Sequence, residues 1–315
     1  MAAIEVSPKL RIAAQYLGES GQRWLDDLPG LVAELEAEWG IMCGRALTGG
    51  NFGYVAEAVT TDGEAAALKV ALPPKSDGLK QELRALHLAH GDPYVRLIRF
   101  DVERRALLLE RLGRPLGELG WPVDRQIRES VSTVARGWQP VAADGDELET
   151  GAAKAKWLAE FIPTTWQKLG RPCSEQAVER AVRYANEREL ALDGQRLVLV
   201  HGDAHPWNIL EVAGDDRAEK RFRLIDPEGL ASEPAHELGV ILRGWNEELL
   251  EADTTAVALE RCASVARQTG VDREATWQWS YIERVSSGLF MLDLGLGDQC
   301  RPYLEVADRL SGVEA

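Results

Sequence analysis

The sequence predicts an α+β protein in two lobes, a small N-terminal one with an antiparallel sheet and a helix, and a larger, mainly helical C-terminal one. Three observations predict it. Short β-forming runs broken by glycine, proline and an Asp-Gly turn crowd residues 45–110, and apolar residues at helical spacing dominate after residue 124. Between them, residues 111–120 (RLGRPLGELG) interrupt both patterns with glycine and proline. The boundary is therefore drawn there, giving lobes of residues 1–112 and 113–315.

Taken in order, residues 1–40 read as a helical preface, because Trp24, Leu25, Leu28, Leu31, Val32, Leu35 and Trp39 recur at spacings of three and four. RALTGG and NFGYVAEAVT then read as strands, and the latter joins EAAALKVAL through the hairpin turn Asp62-Gly63. A helix is predicted near 76–90, followed by two strands in VRLIRFDVE and RRALLLERL. In the second lobe helices are predicted near 124–136, 152–169, 174–191, 235–250, 255–269, 273–293 and 301–311. An acidic loop at 139–150 and the apolar runs RLVLV and FRLID interrupt them.

Composition removes several classes of function. With 36 Lys+Arg against 51 Asp+Glu the formal charge is −15, and no basic block is present of the kind that displaces counterions from nucleic acid. No apolar run is long enough to cross a bilayer, and the start MAAIEVSPKL lacks a secretory pattern, so a cytoplasmic protein without nucleic-acid or membrane partners is expected. The four cysteines, Cys43, Cys173, Cys262 and Cys300, form no CxxC pair and are expected to be reduced. The acidic balance aids solubility and would also attract a cationic small molecule.

The densest chemistry lies in LVLVHGDAHPWNIL, where His201, Asp203, His205 and Asn208 crowd between two apolar runs. Two histidines four apart fit zinc, but the order is HGDAH rather than HExxH and Pro206 follows, so no regular helix would present them together. Phosphoryl transfer fits better. It needs a carboxylate for the acceptor hydroxyl, an amide oxygen for Mg2+, and a second carboxylate for the metal. Asp203, Asn208 and Asp226 supply these in order, with Asp203 and Asn208 at the D-x-x-x-x-N spacing of a kinase catalytic loop. A turn capped by its own side chains is the alternative.

HGDAHPWNIL followed by LIDPEG resembles the aminoglycoside phosphotransferase family, and LIDPEGLASEPAHELGVILRGWN resembles in particular its streptomycin 6-phosphotransferase and hydroxyurea phosphotransferase branch. The resemblance implies a bilobal protein-kinase-like fold over about residues 45–295. It also implies ATP and Mg2+ as cofactors, and transfer of the γ-phosphate to a hydroxyl of an aminoglycoside antibiotic, streptomycin-like, with resistance as the outcome. Hydroxyurea phosphotransferase, a metabolic kinase of the choline or homoserine type, and a pseudokinase binding module are the alternatives. Glu237 stands where the family usually has Asp, and Glu228 where streptomycin-type members often have Lys.

A kinase also needs a glycine-rich turn, a strand lysine and a helical glutamate upstream. TGGNFGYV offers Gly50, Gly53 and Val55, with Thr48 in the place of the first glycine; an ordinary hairpin would read the same. AALK offers Lys69, and LKQELRALHLA offers Glu82 on an apolar-striped helix, where it either meets Lys69 or faces water. LLLERLG offers Glu110, Arg111 and Leu112 as the connector that would read the adenine edge. Candidate substrate contacts are Asp203 itself, Glu228, Glu233 and Trp207, with Glu237 a brace for the loop and Trp245 a core residue. The reading expects Lys69, Asp203, Asn208 and Asp226 to gather around a metal and a triphosphate in a monomer or weak dimer.

Overall fold

A computed structural model describes residues 4–47, 53–73, 78–142, 147–192, 197–214 and 221–315. The chain divides into two compact units, residues 1–113 with 211–223, and residues 114–210 with 224–315.

The first unit opens with α1 (Pro8–Tyr16) and α2 (Glu19–Trp39). Ser7 caps α1, its hydroxyl accepting from the Leu10 N–H, and Pro8 fits the first turn because the missing N–H would have had no helical partner there. Gly21 lets α2 cross α1 closely; a Cβ at that position would lie 2.0 Å from the Ala14 carbonyl oxygen. The apolar faces of both helices lie against a five-stranded antiparallel sheet of order β1-β2-β3-β5-β4. Its strands are β1 (Ile41–Ala46), β2 (Gly53–Thr60), β3 (Ala65–Ala71), β4 (Leu97–Asp101) and β5 (Ala106–Glu110). Strand alternation then sorts the residues of β3 by face. Leu68 and Val70 join the core cluster with Leu28, Leu35 and Leu108, so Lys69 faces the other side, opposite Val55 on β2 and Leu107 on β5. The helix α3 (Gly78–Ala89) lies between β3 and β4 in sequence.

The second unit contains α4 (Val123–Ala135), α5 (Gly151–Lys168), α6 (Glu175–Ala191), α7 (Pro234–Leu242), α8 (Asn246–Glu251), α9 (Thr254–Thr269), α10 (Arg273–Asp293) and α11 (Gly297–Leu310). Thr150, Ser174, Asp253 and Asp272 cap α5, α6, α9 and α10 with side-chain oxygens. The centre is α10, buried on nearly every face through Trp277, Trp279, Tyr281, Ile282, Val285 and Leu289, and packed against α5, α6, α7 and α11. It buries Gln278, Glu283 and Arg284 beside those apolar residues, and it is where the others converge. The short strands β6 (Glu149–Thr150), β10 (Leu230–Ser232) and β7 (Val198–Val200) form a second sheet in that order, and β8 (Ile209–Glu211) pairs with β9 (Phe222–Leu224).

Two elements differ from expectation. The single helix expected at 235–250 is split, because Trp245 takes a left-handed conformation (φ 53°) after Gly244 and the Arg284 guanidinium from α10 takes the Leu242 carbonyl at 2.6 Å. The acidic loop at 139–150 ends in β6, which pairs in parallel with β10. No helix among the described residues is long and apolar enough to cross a membrane.

Candidate active site

In the first unit α3 carries Glu82 to Lys69. The Lys69 ammonium donates to both Glu82 oxygens, at 2.7 and 2.8 Å, and both side chains are nearly enclosed. Gly53 and Val55 begin β2; a Cβ on Gly53 would stand 3.0 Å from the Val70 carbonyl oxygen, so this strand start is tightly fitted against β3. Gly50 and Thr48 lie outside the described residues. Glu110 ends β5 with its carboxylate on Arg223 and accepting from the Arg96 N–H at 2.8 Å, and Leu112 is buried beyond it.

In the second unit β7 delivers the loop 201–208. Gly202 is left-handed (φ 83°), a conformation glycine adopts without strain, and a Cβ there would stand 3.0 Å from Glu228. His201 is fully buried. Its Nδ1 accepts from the Asp203 N–H at 3.2 Å and its Nε2 faces the Ile225 carbonyl at 2.8 Å, which assigns the proton to Nε2. Burial holds His201 down to a pKa of about 4, so the ring is neutral and serves as a strut between the loop and residue 225. Beneath it the Glu237 carboxylate accepts the N–H groups of His201 and, at 3.3 Å, Gly202. Burial raises Glu237 to about 7, against the pull of those two donors.

Asn208 closes the loop. Its Nδ2 donates to the Asp203 carbonyl at 3.0 Å, which leaves its amide oxygen as the acceptor end, and its own carbonyl accepts from the Ile225 N–H at 2.9 Å. That backbone bond ties Asn208 to the residue before Asp226, which is left-handed at φ 57°. Through these bonds Asn208 meets the Asp203 carbonyl on one side and, on the other, residue 225, the chain neighbour of Asp226. Among the described residues no three His, Cys, Asp or Glu side chains are placed to hold a metal. One amide oxygen and one carboxylate still suit Mg2+, a hard cation that keeps waters and takes phosphate oxygens rather than a full protein cage.

Asp203 meets a residue the sequence did not flag. Arg243, at the C-cap of α7, donates one arm to Asp203 Oδ1 and the other, at 3.1 Å, to Glu283 Oε2 on α10. Burial alone would raise Asp203; His205, Arg243 and His201 outweigh it and hold the carboxyl below its ordinary range. The signals for these residues were faint: Arg243 is a lone cation closing the apolar stretch LGVIL, and Glu283 is half of a charged pair in a helix that also carries Gln278, Ser280 and Ser286.

The substrate candidates divide. Trp207 is 56% exposed and lies over Gly117, whose Cβ position is 3.1 Å from the indole. Glu228 is half-exposed and bound to the Lys154 ammonium at 2.8 Å. Glu233 corrects the expectation. It is turned inward, accepting from the Trp279 indole N–H at 2.7 Å and facing Arg188 at 3.4 Å, so its carboxylate is committed to the core. Trp245 supplies the break between α7 and α8.

The family model for aminoglycoside/hydroxyurea antibiotic resistance kinases matches residues 46–295. The chain belongs to that family. As one of these kinases it is a phosphotransferase, and its α+β architecture is protein-kinase-like. It is 26% identical over 300 residues to a streptomycin 6-kinase of Streptomyces glaucescens, covering 90% of each chain. It is 30% identical over 321 residues to a hydroxyurea phosphotransferase of Kitasatospora aureofaciens, covering 97% of this chain and 85% of the relative. Among solved structures, the GDP complex of aminoglycoside 2'-phosphotransferase-IIIa matches its fold with a TM-score of 0.56 at 16% identity, over 89% of this chain and 97% of the other. The use of a nucleotide follows from membership.

Proposed function

We propose that the protein transfers the γ-phosphate of ATP to a hydroxyl of a streptomycin-like aminoglycoside. The observation that carries this reading is that Asn208 bonds both the Asp203 carbonyl, through its side-chain amide, and the N–H of Ile225 next to Asp226, in a chain whose family match spans 46–295. Asp203, held ionised, accepts the hydrogen bond of the acceptor hydroxyl and aims its oxygen for in-line attack. Asn208 and Asp226 are the residues that would hold Mg2+, which would neutralise charge developing on the phosphate oxygens. Lys69, fixed by Glu82, and the stretch with Gly50, Gly53 and Val55 bind the triphosphate, and the 110–112 backbone reads the adenine edge. Glu237 and His201 keep the loop rigid, and Trp207 offers a face to a sugar ring. The reaction is placed in the cytoplasm.

A second reading, hydroxyurea as acceptor, has a specific observation in its favour. The carboxylates near the loop are already paired with cations of the chain itself, Asp203 with Arg243, Glu228 with Lys154 and Glu233 with Arg188. Such pairing weakens the local pull on a polycation and suits a small neutral hydroxyl compound. The test is ADP release from Mg-ATP with streptomycin, hydroxyurea, choline and homoserine, with the product mass confirmed. Phosphorylated streptomycin is expected. A product from hydroxyurea alone transfers the function to the second reading, and no acceptor-dependent ADP release refutes both.

A further inference from the structure

A chain of polar contacts, enclosed at His236, Glu283 and Arg243 and ending on the half-buried Asp203, has no task among the roles above. His236 Nε2 meets Glu283 Oε1 at 3.3 Å, Glu283 Oε2 takes one arm of Arg243 at 3.1 Å, and the other arm of Arg243 holds Asp203 Oδ1. Burying ions in this way is costly, and well-packed apolar side chains in their place are often as stable or more so. Stability therefore gives no reason for the arrangement.

We propose that Glu283 is a positioning residue for phosphoryl transfer, acting through Arg243 to hold the Asp203 carboxylate in one orientation. The proposal rests on the reading of Asp203 as the group that aims the acceptor hydroxyl. Asp203 stands on a loop, and no regular element fixes its side chain. Asn208 and His205 reach its Oδ2 only at 3.4 and 3.5 Å, so the ion pair of Oδ1 with Arg243 sets its orientation. Arg243 in turn hangs from a helix end on a long, flexible side chain. Glu283 removes that freedom. A planar guanidinium with one arm on a fixed carboxylate presents its other arm in a fixed direction, which an ammonium would not do.

The base of this device is rigid. Gly239 on α7 meets Trp279 on α10 so closely that a Cβ would stand 2.4 Å from the Trp279 Cβ. Arg243 and Glu283 each follow one helical turn later on the same two helices, so the contact of their backbones fixes the distance that the ion pair spans. His236, stacked on Trp279 with ring centroids 3.9 Å apart, holds the far oxygen of Glu283.

The test is steady-state kinetics on the full chain with whichever of streptomycin and hydroxyurea the wild type phosphorylates. A misplacement of about 1 Å at a reacting group lowers turnover about 100-fold, so Glu283→Gln is expected to lower kcat by about 10- to 100-fold. The KM for Mg-ATP stays within about twofold, a split that general loosening of the fold would not give. Glu283→Asp, which keeps the charge, recovers part of kcat. Arg243→Gln combined with Glu283→Gln is no slower than Arg243→Gln alone, because the two act as one unit. Wild-type kcat in Glu283→Gln, or losses that multiply in the double variant, would overturn the proposal. Should Glu283→Gln fail to fold, Glu283→Asp decides alone, with wild-type kcat as the overturning result. A wild type inactive toward both acceptors sinks the substrate reading only. In that event a crystal structure of the glutamine variant decides, since an Arg243 still seated on Asp203 would refute positioning.

Discussion

Replacing Lys69 with methionine removes one ion from an enclosed pair and leaves the other. The ammonium lies 2.7 and 2.8 Å from the two Glu82 oxygens, with the side chains only 11% and 8% exposed. An exposed pair contributes about 0–1 kcal/mol, whereas stripping one partner from a buried pair costs about 3–5 kcal/mol because the remaining charge is left in a poor solvent. The exposures place this pair in the second class. At about 2–4 °C per kcal/mol, the first unit of Lys69→Met should unfold about 10 °C below the wild type. The double replacement Lys69→Met with Glu82→Leu removes both charges and should recover most of that loss. It should nevertheless transfer no phosphate, since the cation proposed to bind the triphosphate is gone. Calorimetric unfolding of the three proteins, with Mg-ATP titrations alongside, separates these effects. A single variant that melts like the wild type would refute the burial argument, and a double variant with normal turnover would refute the phosphate role of Lys69.

Asp203→Asn should keep Mg-ATP affinity, measured by titration calorimetry, while kcat falls by about 100-fold or more, because the amide cannot accept the acceptor hydroxyl as the carboxylate does. Gly239→Ala forces α7 away from α10 against a 2.4 Å contact and should cost about 3 kcal/mol in urea unfolding, with kcat reduced as Arg243 shifts. Glu237→Gln should flatten part of the pH dependence of stability. With Glu237 held up to about 7 against an ordinary 4.5, its contribution is complete below about pH 4.5 and is lost as pH rises through about 7, up to about 3 kcal/mol. His201, held down to about 4 from 6.5, works the other way, contributing above pH 6.5 and losing that contribution as pH falls through 4. It is common to both proteins, so the difference between their stability curves isolates Glu237; parallel curves between pH 4.5 and 7 would rule out the buried acid.

What the sequence made legible was local. The kinase-like order of a strand lysine and a helical glutamate singled out Lys69 and Glu82, with water left open as what Glu82 would face, and the crowding of His201, Asp203 and Asn208 marked the loop. Charges that meet across the fold left no such trace. Arg243 and Glu283 lie 40 and 80 residues beyond Asp203, and no periodicity links those distances. The break at Trp245 was hidden for the same reason, since the arginine that takes the Leu242 carbonyl comes from α10. Glu233 shows the converse error: an acid close to the loop in sequence was read as facing a substrate, when an indole N–H on α10 turns it inward. Strands of two and three residues such as β6 and β10 are too short to carry an alternation at all.

The first unit is not a continuous stretch of chain. Residues 211–223 return to it after nearly a hundred residues of the second unit, and they bring the Arg223 guanidinium to Glu110 and the Glu211 carbonyl to the Gly113 N–H at 2.7 Å. On the ribosome, then, the first unit cannot reach its finished form when residue 113 emerges. It must wait until residue 223 has followed, so the loop 201–208 of the second unit leaves the exit tunnel before the first unit is complete.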